Sequence, residues 1–315
     1  MGPTNFAFLT LGLVLLGITD SVQGSCPSLW TKIGDMCYHK TDELMTHSDA
    51  ADFCSTLSTT YGAATLATFP RCDDFAKFAA YLGLTAPTEG NYWVGAKTDF
   101  LGNWYWETLE TLQLGVPFWA YSEGGDKGED CAAMDRRFRF QLMDDDCETM
   151  KGAACMAPAS ATREYNKTKD FEVLDCPDGT TQVGDHCYYF SYHESNWHEA
   201  DWDCQDEDNH RHWHGELFSP SSCEEFTHMA HHLQAENDHD YWVGGIDASG
   251  YNEWTWVSGD TLPIGIPYWA YGQPDHSGHG YERYECTKMS GDVAHYLDDY
   301  KCSWDERYIC KVHIV

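Results

Sequence analysis

The chain has 315 residues, enough for two ordinary domains. Aspartate and glutamate outnumber lysine and arginine by 51 to 19, which gives a formal net charge of −32. Nucleic acids and anionic membrane surfaces would repel such a protein, so this charge argues against both as partners, whereas it suits the binding of cations.

The N-terminal segment has the features of a signal peptide. An apolar run over residues 6–18 is too short to span a bilayer, and the small residues that a signal peptidase reads follow at 21–24. We therefore predict that residues 1–24 are removed and that the mature protein is secreted, extracellular and not inserted in a membrane. The 14 cysteines agree with this prediction, because disulfides persist in oxidising compartments.

The rest of the chain is a tandem duplication. A Tyr-Trp-Val-Gly motif at 92–95 recurs at 241–244, and an aromatic-Trp-Ala-Tyr motif at 118–121 recurs at 268–271. The cysteines recur with it, about 150 residues apart. They are, in the first copy, Cys26, Cys37, Cys54, Cys72, Cys131, Cys147 and Cys155, and in the second, Cys176, Cys187, Cys204, Cys223, Cys286, Cys302 and Cys310.

The duplication defines two domains, 25–156 and 176–315, joined by a polar linker at 157–175. The linker carries the sequon Asn166-Lys167-Thr168, which makes Asn166 a candidate N-glycosylation site.

Each copy begins with a Cys-to-Cys hairpin and continues with two segments whose apolar residues recur at helical spacing. These segments predict helices around 48–57 and 73–82 in the first copy, and around 196–205 and 224–234 in the second. Short aromatic strands and loops rich in Gly, Pro and Asp follow. Two early helices and later strands indicate an α+β fold rather than a series of βαβ units.

The motif richest in chemistry is Gln273-Pro274-Asp275, followed downstream by the acidic pair Asp298-Asp299. The bond before a proline can be cis at modest cost, and a cis bond here would turn the two flanking side chains toward one point. Together these residues approach the six to eight oxygen ligands that calcium takes.

In its setting, Trp-Ala-Tyr-Gly-Gln-Pro-Asp ahead of an acidic pair and a cysteine, this motif resembles the carbohydrate-recognition domain of the C-type lectins, in its galactose-type version. The resemblance covers nearly all of the mature chain. It implies two tandem C-type lectin-like domains, each disulfide-stabilised, with two helices, short antiparallel sheets and a long calcium-binding loop region. Tandem proteins of this kind resemble invertebrate immune lectins.

The resemblance also implies six disulfides, which spacing alone could not assign. The implied pairs are Cys26–Cys37, Cys54–Cys155, Cys131–Cys147, Cys176–Cys187, Cys204–Cys310 and Cys286–Cys302. Cys72 and Cys223 are left over. They could join the two domains, link two chains or remain as free thiols, and the secreted context favours pairing.

By the same resemblance, the second domain holds one Ca²⁺ that also binds two vicinal sugar hydroxyls. The implied metal ligands are Gln273, Asp275, Glu282, Glu285, Asp298 and Asp299. The implied carbohydrate-binding residues are Gln273, Asp275, Glu282, Glu285, Asp298 and Tyr281. Tyr281, or a histidine of the 276–280 segment, would stack on the sugar in place of the family's aromatic residue.

Two positions depart from the family pattern. Asp298 stands where the family usually has Asn, which removes an amide N–H that could donate to a sugar hydroxyl. Tyr284 stands where the family usually places a glutamate, so Glu282 or Glu285 would have to fill that role.

The first domain has fewer of the expected ligands. Ser122-Glu123-Gly124-Gly125 replaces the Gly-Gln-Pro-Asp segment, and Met143 replaces the Asn. Glu123, Asp126, Glu129, Asp144 and Asp145 could form a different calcium site, but a solvated acidic loop explains them as well. We expect no ordinary sugar coordination in this domain.

These features favour a calcium-dependent, galactose-type lectin that recognises glycans on microbial or cell surfaces. The alternative is a degenerate lectin-like protein that binds protein or mineral surfaces through its acidic residues without sugar. An enzyme is not expected, because the chain has no nucleophile elbow, no His-Glu-x-x-His motif and no phosphate loop.

Overall fold

A computed structural model describes residues 26–125, 128–160, 172–206, 213–236, 239–276 and 285–313. These residues form two copies of one α+β unit, each with two helices and an eight-stranded sheet. Across the described ranges, no helix combines the length and apolar character needed to cross a membrane.

The first domain contains α1 (His47–Ser55), α2 (Cys72–Thr85), a 3₁₀ turn (Arg136–Phe138) and strands β1 (Thr31–Ile33), β2 (Met36–Met45), β3 (Ser58–Thr59), β4 (Gly62–Ala63), β5 (Thr65–Leu66), β6 (Asn91–Thr98), β7 (Trp104–Trp106), β8 (Cys131–Asp135), β9 (Leu142–Asp145) and β10 (Lys151–Pro158). The second domain contains α3 (Trp197–Gln205), α4 (Cys223–Glu236), a 3₁₀ turn (Gly291–Val293) and strands β11 (Thr181–Val183), β12 (His186–Phe190), β13 (His214–Leu217), β14 (Tyr241–Asp247), β15 (Thr255–Trp256), β16 (Glu285–Met289), β17 (Leu297–Lys301) and β18 (Arg307–His313).

The four predicted helices are present, with ends shifted by at most three residues. The first helix of each domain begins at a polar residue that caps a backbone N–H. Thr46 Oγ1 accepts from the N–H of Asp49 at 3.2 Å, and Asn196 Oδ1 accepts from that of Glu199 at 3.0 Å. Such caps satisfy donors that the first helical turn would otherwise leave unpaired.

The two sheets have the same strand order, β1-β2-β10-β6-β8-β9 and β11-β12-β18-β14-β16-β17. Most neighbours are antiparallel, as expected. One pair in each sheet is instead parallel, β6 with β10 and β14 with β18, so the last strand of each domain lies at the centre of its sheet.

The aromatic motifs that mark the duplication lie in the cores. Trp93, Trp119, Trp242 and Trp269 are all fully buried. Because each buried Trp removes a large apolar area from water, these four positions contribute strongly to the stability of the two domains.

Seven disulfides stabilise the two domains, and the described residues include no free cysteine. Six of them are the pairs that the resemblance implies. In each domain, one disulfide ties the first helix to the last strand and another braces the end of the long loop region. The helix-to-strand pairs are Cys54–Cys155 and Cys204–Cys310, and the loop braces are Cys131–Cys147 and Cys286–Cys302.

The seventh disulfide joins the two domains. Cys72 and Cys223 are the first residues of α2 and α4, and they are bonded to each other within one chain. Of the possibilities left open by the sequence, the structure therefore has the intramolecular, interdomain bridge.

The long loop of each domain also packs against the other domain. Val116 is fully buried in the core of the second domain, and Ile266, at the matching position, packs against the core of the first. His231 Nε2 donates to the carbonyl of Val116 at 2.8 Å, and the Tyr296 hydroxyl donates to that of Trp119 at 2.7 Å. The two domains are thus held together by reciprocal loop contacts as well as by a disulfide.

Peptide mapping under non-reducing conditions is expected to recover the Cys72 and Cys223 peptides linked to each other, from a protein that migrates as a monomer. The double variant Cys72→Ser/Cys223→Ser is expected to lose about 2 kcal/mol of unfolding free energy, because the unfolded chain loses a constraint. Chemical denaturation of both proteins measures this difference. A disulfide-linked dimer in the wild type would contradict the assignment.

The interdomain contact of His231 makes stability depend on pH. Burial lowers the pKa of the His231 imidazole, although its hydrogen bond to Val116 opposes the shift. Because the folded pKa lies below the unfolded value of about 6.5, His231 contributes stability that is present above pH 6.5 and is lost as the pH falls through the folded pKa.

We therefore expect the melting temperature of the wild type to fall further than that of His231→Gln when the pH is lowered from about 7 to about 5. Glutamine keeps an N–H donor but cannot take up the proton. His198→Gln, at an exposed helical position, is the matched control and is expected to follow the wild type. Parallel pH curves for the wild type and His231→Gln would rule out this role for His231.

Candidate functional site

The loop that carries Gln273-Pro274-Asp275 is attached to β17 by backbone hydrogen bonds. The N–H of Ala270 donates to the carbonyl of Leu297 at 3.0 Å, and the N–H of Leu297 donates to that of Tyr268 at 2.8 Å. Between them, the buried Trp269 forms a parallel bridge with Leu297. Because β17 also carries Asp298 and Asp299, this attachment brings the motif and the acidic pair together.

Asp299 fixes the end of the loop. Its carboxylate, 1% exposed, accepts from the backbone N–H of Asp275 at 2.9 Å and from that of His276 at 2.8 Å. Burial raises the pKa of the Asp299 carboxyl, and the two N–H donors oppose this shift. The acidic pair therefore has a structural role in addition to offering ligand oxygens.

His276 completes a group of three potential ligands with Glu285 and Asp299. Its Nδ1 lies 2.5 Å from Glu285 Oε2 and 3.9 Å from Asp299 Oδ2, and the ligand atoms of the three side chains lie within 4.8 Å of one another. The hydrogen bond to Glu285 raises the pKa of His276. His276 is not among the metal ligands predicted from the sequence, although it directly follows the Gln273-Pro274-Asp275 motif.

The side chain of Gln273 offers a buried acceptor oxygen, Oε1. The Gln273–Pro274 bond is cis, and the backbone carbonyl of Gln273 accepts from Arg139 Nη1 of the first domain at 2.6 Å. The side-chain Oε1 is buried, and no described residue donates a hydrogen bond to it. Buried polar oxygens normally have a partner, so this atom suits a cation ligand.

Asp298 lies beside this group rather than within it. It lies opposite Lys288 in the antiparallel register of β16 and β17, and its carboxylate is not among the three ligand atoms that lie within 4.8 Å of one another. Burial, together with the nearby charges of Asp299 and Asp275, raises the pKa of the half-buried Asp298 to about 6, and the positive charge of Lys288 opposes this shift.

Two predicted residues of this site, Tyr281 and Glu282, lie outside the described residues, as does the sequon at Asn166. The described part of the predicted site therefore consists of Gln273, Asp275, Glu285, Asp298 and Asp299.

The corresponding loop of the first domain is attached to its sheet in the same way but offers fewer oxygens. Ala120 and Leu142 repeat the backbone pairing, and Gly124 N–H donates to the fully buried Asp144 at 2.6 Å. Asp145 pairs with Lys151. Among the described residues of this domain, no three His, Cys, Asp or Glu side chains meet as they do around Asp299.

The second-domain site can therefore offer carboxylate and amide oxygens to a hard divalent cation. An ion there would relieve the repulsion among neighbouring carboxylates. The residues fit calcium, with one difference from the predicted ligand set. His276 contacts Glu285, so calcium would compete with this imidazole for the Glu285 carboxylate.

Comparison with known proteins places this site in a family. The family model described as "Lectin C-type domain" matches residues 43–157 and 193–312, one segment in each domain. Rat asialoglycoprotein receptor 1 is 32% identical over 145 residues, which is 45% of this chain and 46% of the receptor. A perlucin-like protein of Mytilus galloprovincialis is 26% identical over 140 residues, 44% of this chain and 83% of that protein.

Solved structures give similar matches. The mouse scavenger receptor C-type lectin carbohydrate-recognition domain has 27% identity and a TM-score of 0.37, covering 43% of this chain and 96% of that domain. The C-type lectin CEL-I of Cucumaria echinata has 20% identity and a TM-score of 0.37, covering 42% of this chain and 96% of CEL-I. The chain spans less than half the length of the rat receptor.

The two segments matched by the family model together make up most of the chain, and they coincide with the two α+β units. The expected resemblance is thereby confirmed, and this chain belongs to the C-type lectin domain family, with two tandem domains of the kind that serves in carbohydrate recognition.

Proposed function

We propose that the chain is a secreted lectin whose second domain binds Ca²⁺ and a galactose-type sugar at the Gln273-Pro274-Asp275 loop. The observation that carries this proposal is the buried Gln273 Oε1, which has no hydrogen-bond donor among the described residues and lies in a loop fastened to Asp299. C-type lectin domains generally bind Ca²⁺ and are typically not enzymes, which agrees with the proposal.

Gln273, Asp275, Glu285, Asp298 and Asp299 would hold the ion, with Glu282 as a further candidate. When bound, calcium would supply coordination positions for two vicinal sugar hydroxyls. Asp299 holds the loop through backbone N–H groups, so the arrangement of Asp275 is largely set before binding. Glu285 contacts His276 through Oε2, so calcium would compete with the imidazole for this carboxylate.

Selectivity for the sugar would depend on which side chains can accept or donate hydrogen bonds to its hydroxyl groups. Asp275 can accept a hydrogen bond from a sugar hydroxyl, whereas Asp298 cannot donate one as the family's usual Asn does. We propose that Tyr281 supplies the apolar contact to the sugar ring. With one donor fewer, the site is expected to bind single sugars weakly and to depend on avidity for strong attachment.

The biological role that fits these properties is recognition of glycans on microbial or cell surfaces. The first domain lacks the Gln-Pro-Asp oxygens, so one chain would provide one sugar site. Agglutination of cells would therefore require association of chains, because cross-linking needs at least two sites.

Calorimetric titration of galactose into the mature protein is expected to show binding with Ca²⁺ and none with EDTA. Asp275→Ala is expected to lower the calcium affinity about tenfold or more, because it removes a charged ligand, and to abolish galactose binding. Asp305→Ala, which removes an exposed carboxylate of the same domain, is the matched control and should bind as the wild type does.

Tight calcium binding without heat from galactose, N-acetylgalactosamine or mannose would contradict the simple-sugar proposal. It would instead favour the alternative function, attachment to protein or mineral surfaces through acidic residues. Absence of calcium binding would contradict the proposed site as a whole.

The first domain is expected to support this site through Arg139. Arg139→Met removes the donor to the Gln273 carbonyl and should lower calcium affinity about fivefold, and Arg139→Lys should restore part of it. Arg136→Met is the control, because Arg136, in the 3₁₀ turn that ends just before Arg139, donates to the carbonyls of Ala86 and Pro87 within its own domain. Equal calcium affinities for Arg139→Met and the wild type would show that the contact is not needed.

A further inference from the structure

A cleft of about 370 Å³ lies between the domains, and one residue that lines it, Arg139, also donates to the Gln273 carbonyl in the loop of the proposed calcium site. One wall is the face of α2 that carries Ala76, Ala80 and Gly83, and the opposite wall is the 264–266 segment of the second domain's long loop. We call it the α2 cleft. Its volume is within the range of small-molecule binding pockets, about 300 to 1,000 Å³.

The duplication explains why the space is larger on this side of the molecule than at the matching position, where a cavity of about 250 Å³ lies beside Gln234 and Ala294. At the matching positions of α4, the second domain has His231 and Gln234 where α2 has Ala80 and Gly83. His231 reaches the carbonyl of Val116, and Gln234 Nε2 donates to the carbonyl of Ala294 at 2.8 Å. Two large polar side chains thus bridge helix, loop and 3₁₀ turn in one half, and two small residues leave that volume open in the other.

The walls of the cleft are apolar with a cationic rim. Ala76, Ala80 and the half-exposed Ile264 contribute hydrocarbon surface. Arg136 and Arg139 are the only charged residues among those that line it, although acidic residues outnumber basic ones by 51 to 19 in the chain. At the matching positions the second domain has Gly291 and Ala294, so the guanidinium pair belongs to this side alone.

Each of these arginines uses one terminal nitrogen to hold the structure. Arg136 Nη1 donates to Ala86 and Pro87, and Arg139 Nη1 donates to Gln273. A guanidinium carries five N–H donors in a planar fork, so both side chains retain donors on their other nitrogens. That fork matches the geometry of a carboxylate.

We propose that the α2 cleft binds a small amphipathic organic carboxylate, with its hydrocarbon part against α2 and Ile264 and its carboxylate at Arg136 and Arg139. Charge complementarity selects the anion, since the rim is cationic in a protein whose net charge would otherwise repel it. A hydrocarbon tail would cover the apolar walls and remove them from water, which favours binding. An inorganic anion has no such tail, so an organic carboxylate is the preferred occupant.

Titration calorimetry of the full, disulfide-bonded protein tests the proposal with octanoate as the probe. We expect saturable binding of one octanoate per chain. Acetate, which has the head group alone, and 1-octanol, which has the tail without the charge, should each bind at least about tenfold more weakly. Absence of saturable octanoate binding, or equal affinity for 1-octanol, would overturn the proposal.

Variants in which residues of α4 replace the matching residues of α2 test whether octanoate binds in the α2 cleft. Ala80→His/Gly83→Gln reproduces the residues of α4 and should abolish octanoate binding by filling the cleft. Gly83→Gln alone guards against misfolding, because a Cβ added at Gly83 meets no atom within 4 Å, and it should already weaken binding. Octanoate affinity that is unchanged in both variants would overturn the assignment to the α2 cleft.

The cationic rim is tested separately. Arg136→Gln/Arg139→Gln should lower octanoate affinity about tenfold or more while leaving the weak binding of 1-octanol unchanged. An equal loss for octanoate and 1-octanol would contradict a role for the guanidinium groups in selecting an anion. Arg137→Gln is the matched control, because Arg137 lies in the same turn but pairs with Asp135 and does not line the cleft.

Discussion

The site depends on a short backbone pairing between the long loop and β17. The hydrogen bonds of Ala270 and Leu297 attach the start of the loop to β17 through a single β-bridge, and the Asp299 carboxylate then accepts from the N–H groups of Asp275 and His276. Asp275 and Asp299, 24 residues apart in sequence, meet for this reason, through the backbone N–H of the first and the carboxylate of the second. A loop without this attachment would have to be ordered by its ligand, at the expense of affinity.

A comparison of the two domains shows that the attachment of the loop does not by itself provide the ligand oxygens. The first domain has the same pairing, through Ala120 and Leu142, and the same buried aspartate, Asp144. Its loop nevertheless has Gly124 and Gly125 where the second has Pro274 and Asp275. The first domain therefore has the same backbone pairing but lacks the side-chain oxygen that Asp275 offers. The fold therefore supplies positions, and a few side chains decide whether those positions can bind an ion and a sugar.

Much of this could be predicted from the sequence, because the duplicated cysteines and aromatic motifs are local patterns. The helices, the α+β fold and the family follow from them. His276 was missed because its role depends on Glu285, nine residues away and at the start of another strand. The pairing of Cys72 with Cys223 was one of several predicted possibilities, and the sequence could not decide among them. The contact from Arg139 and the α2 cleft were not predicted. All three arise where one domain meets the other, and no spacing within a domain encodes such a contact.

Because of the disulfide between Cys72 and Cys223, the peptide segment that connects the domains is not their only covalent link. The two halves are joined covalently at the start of α2 and α4 and also by their reciprocal loops, so the peptide connection around residue 160 is not what keeps them together. A protease that cuts between the domains would produce a nicked molecule whose halves stay covalently linked until the bridge is reduced. In an extracellular setting, where proteases are common and reductants are scarce, such a molecule keeps its two-domain geometry after cleavage.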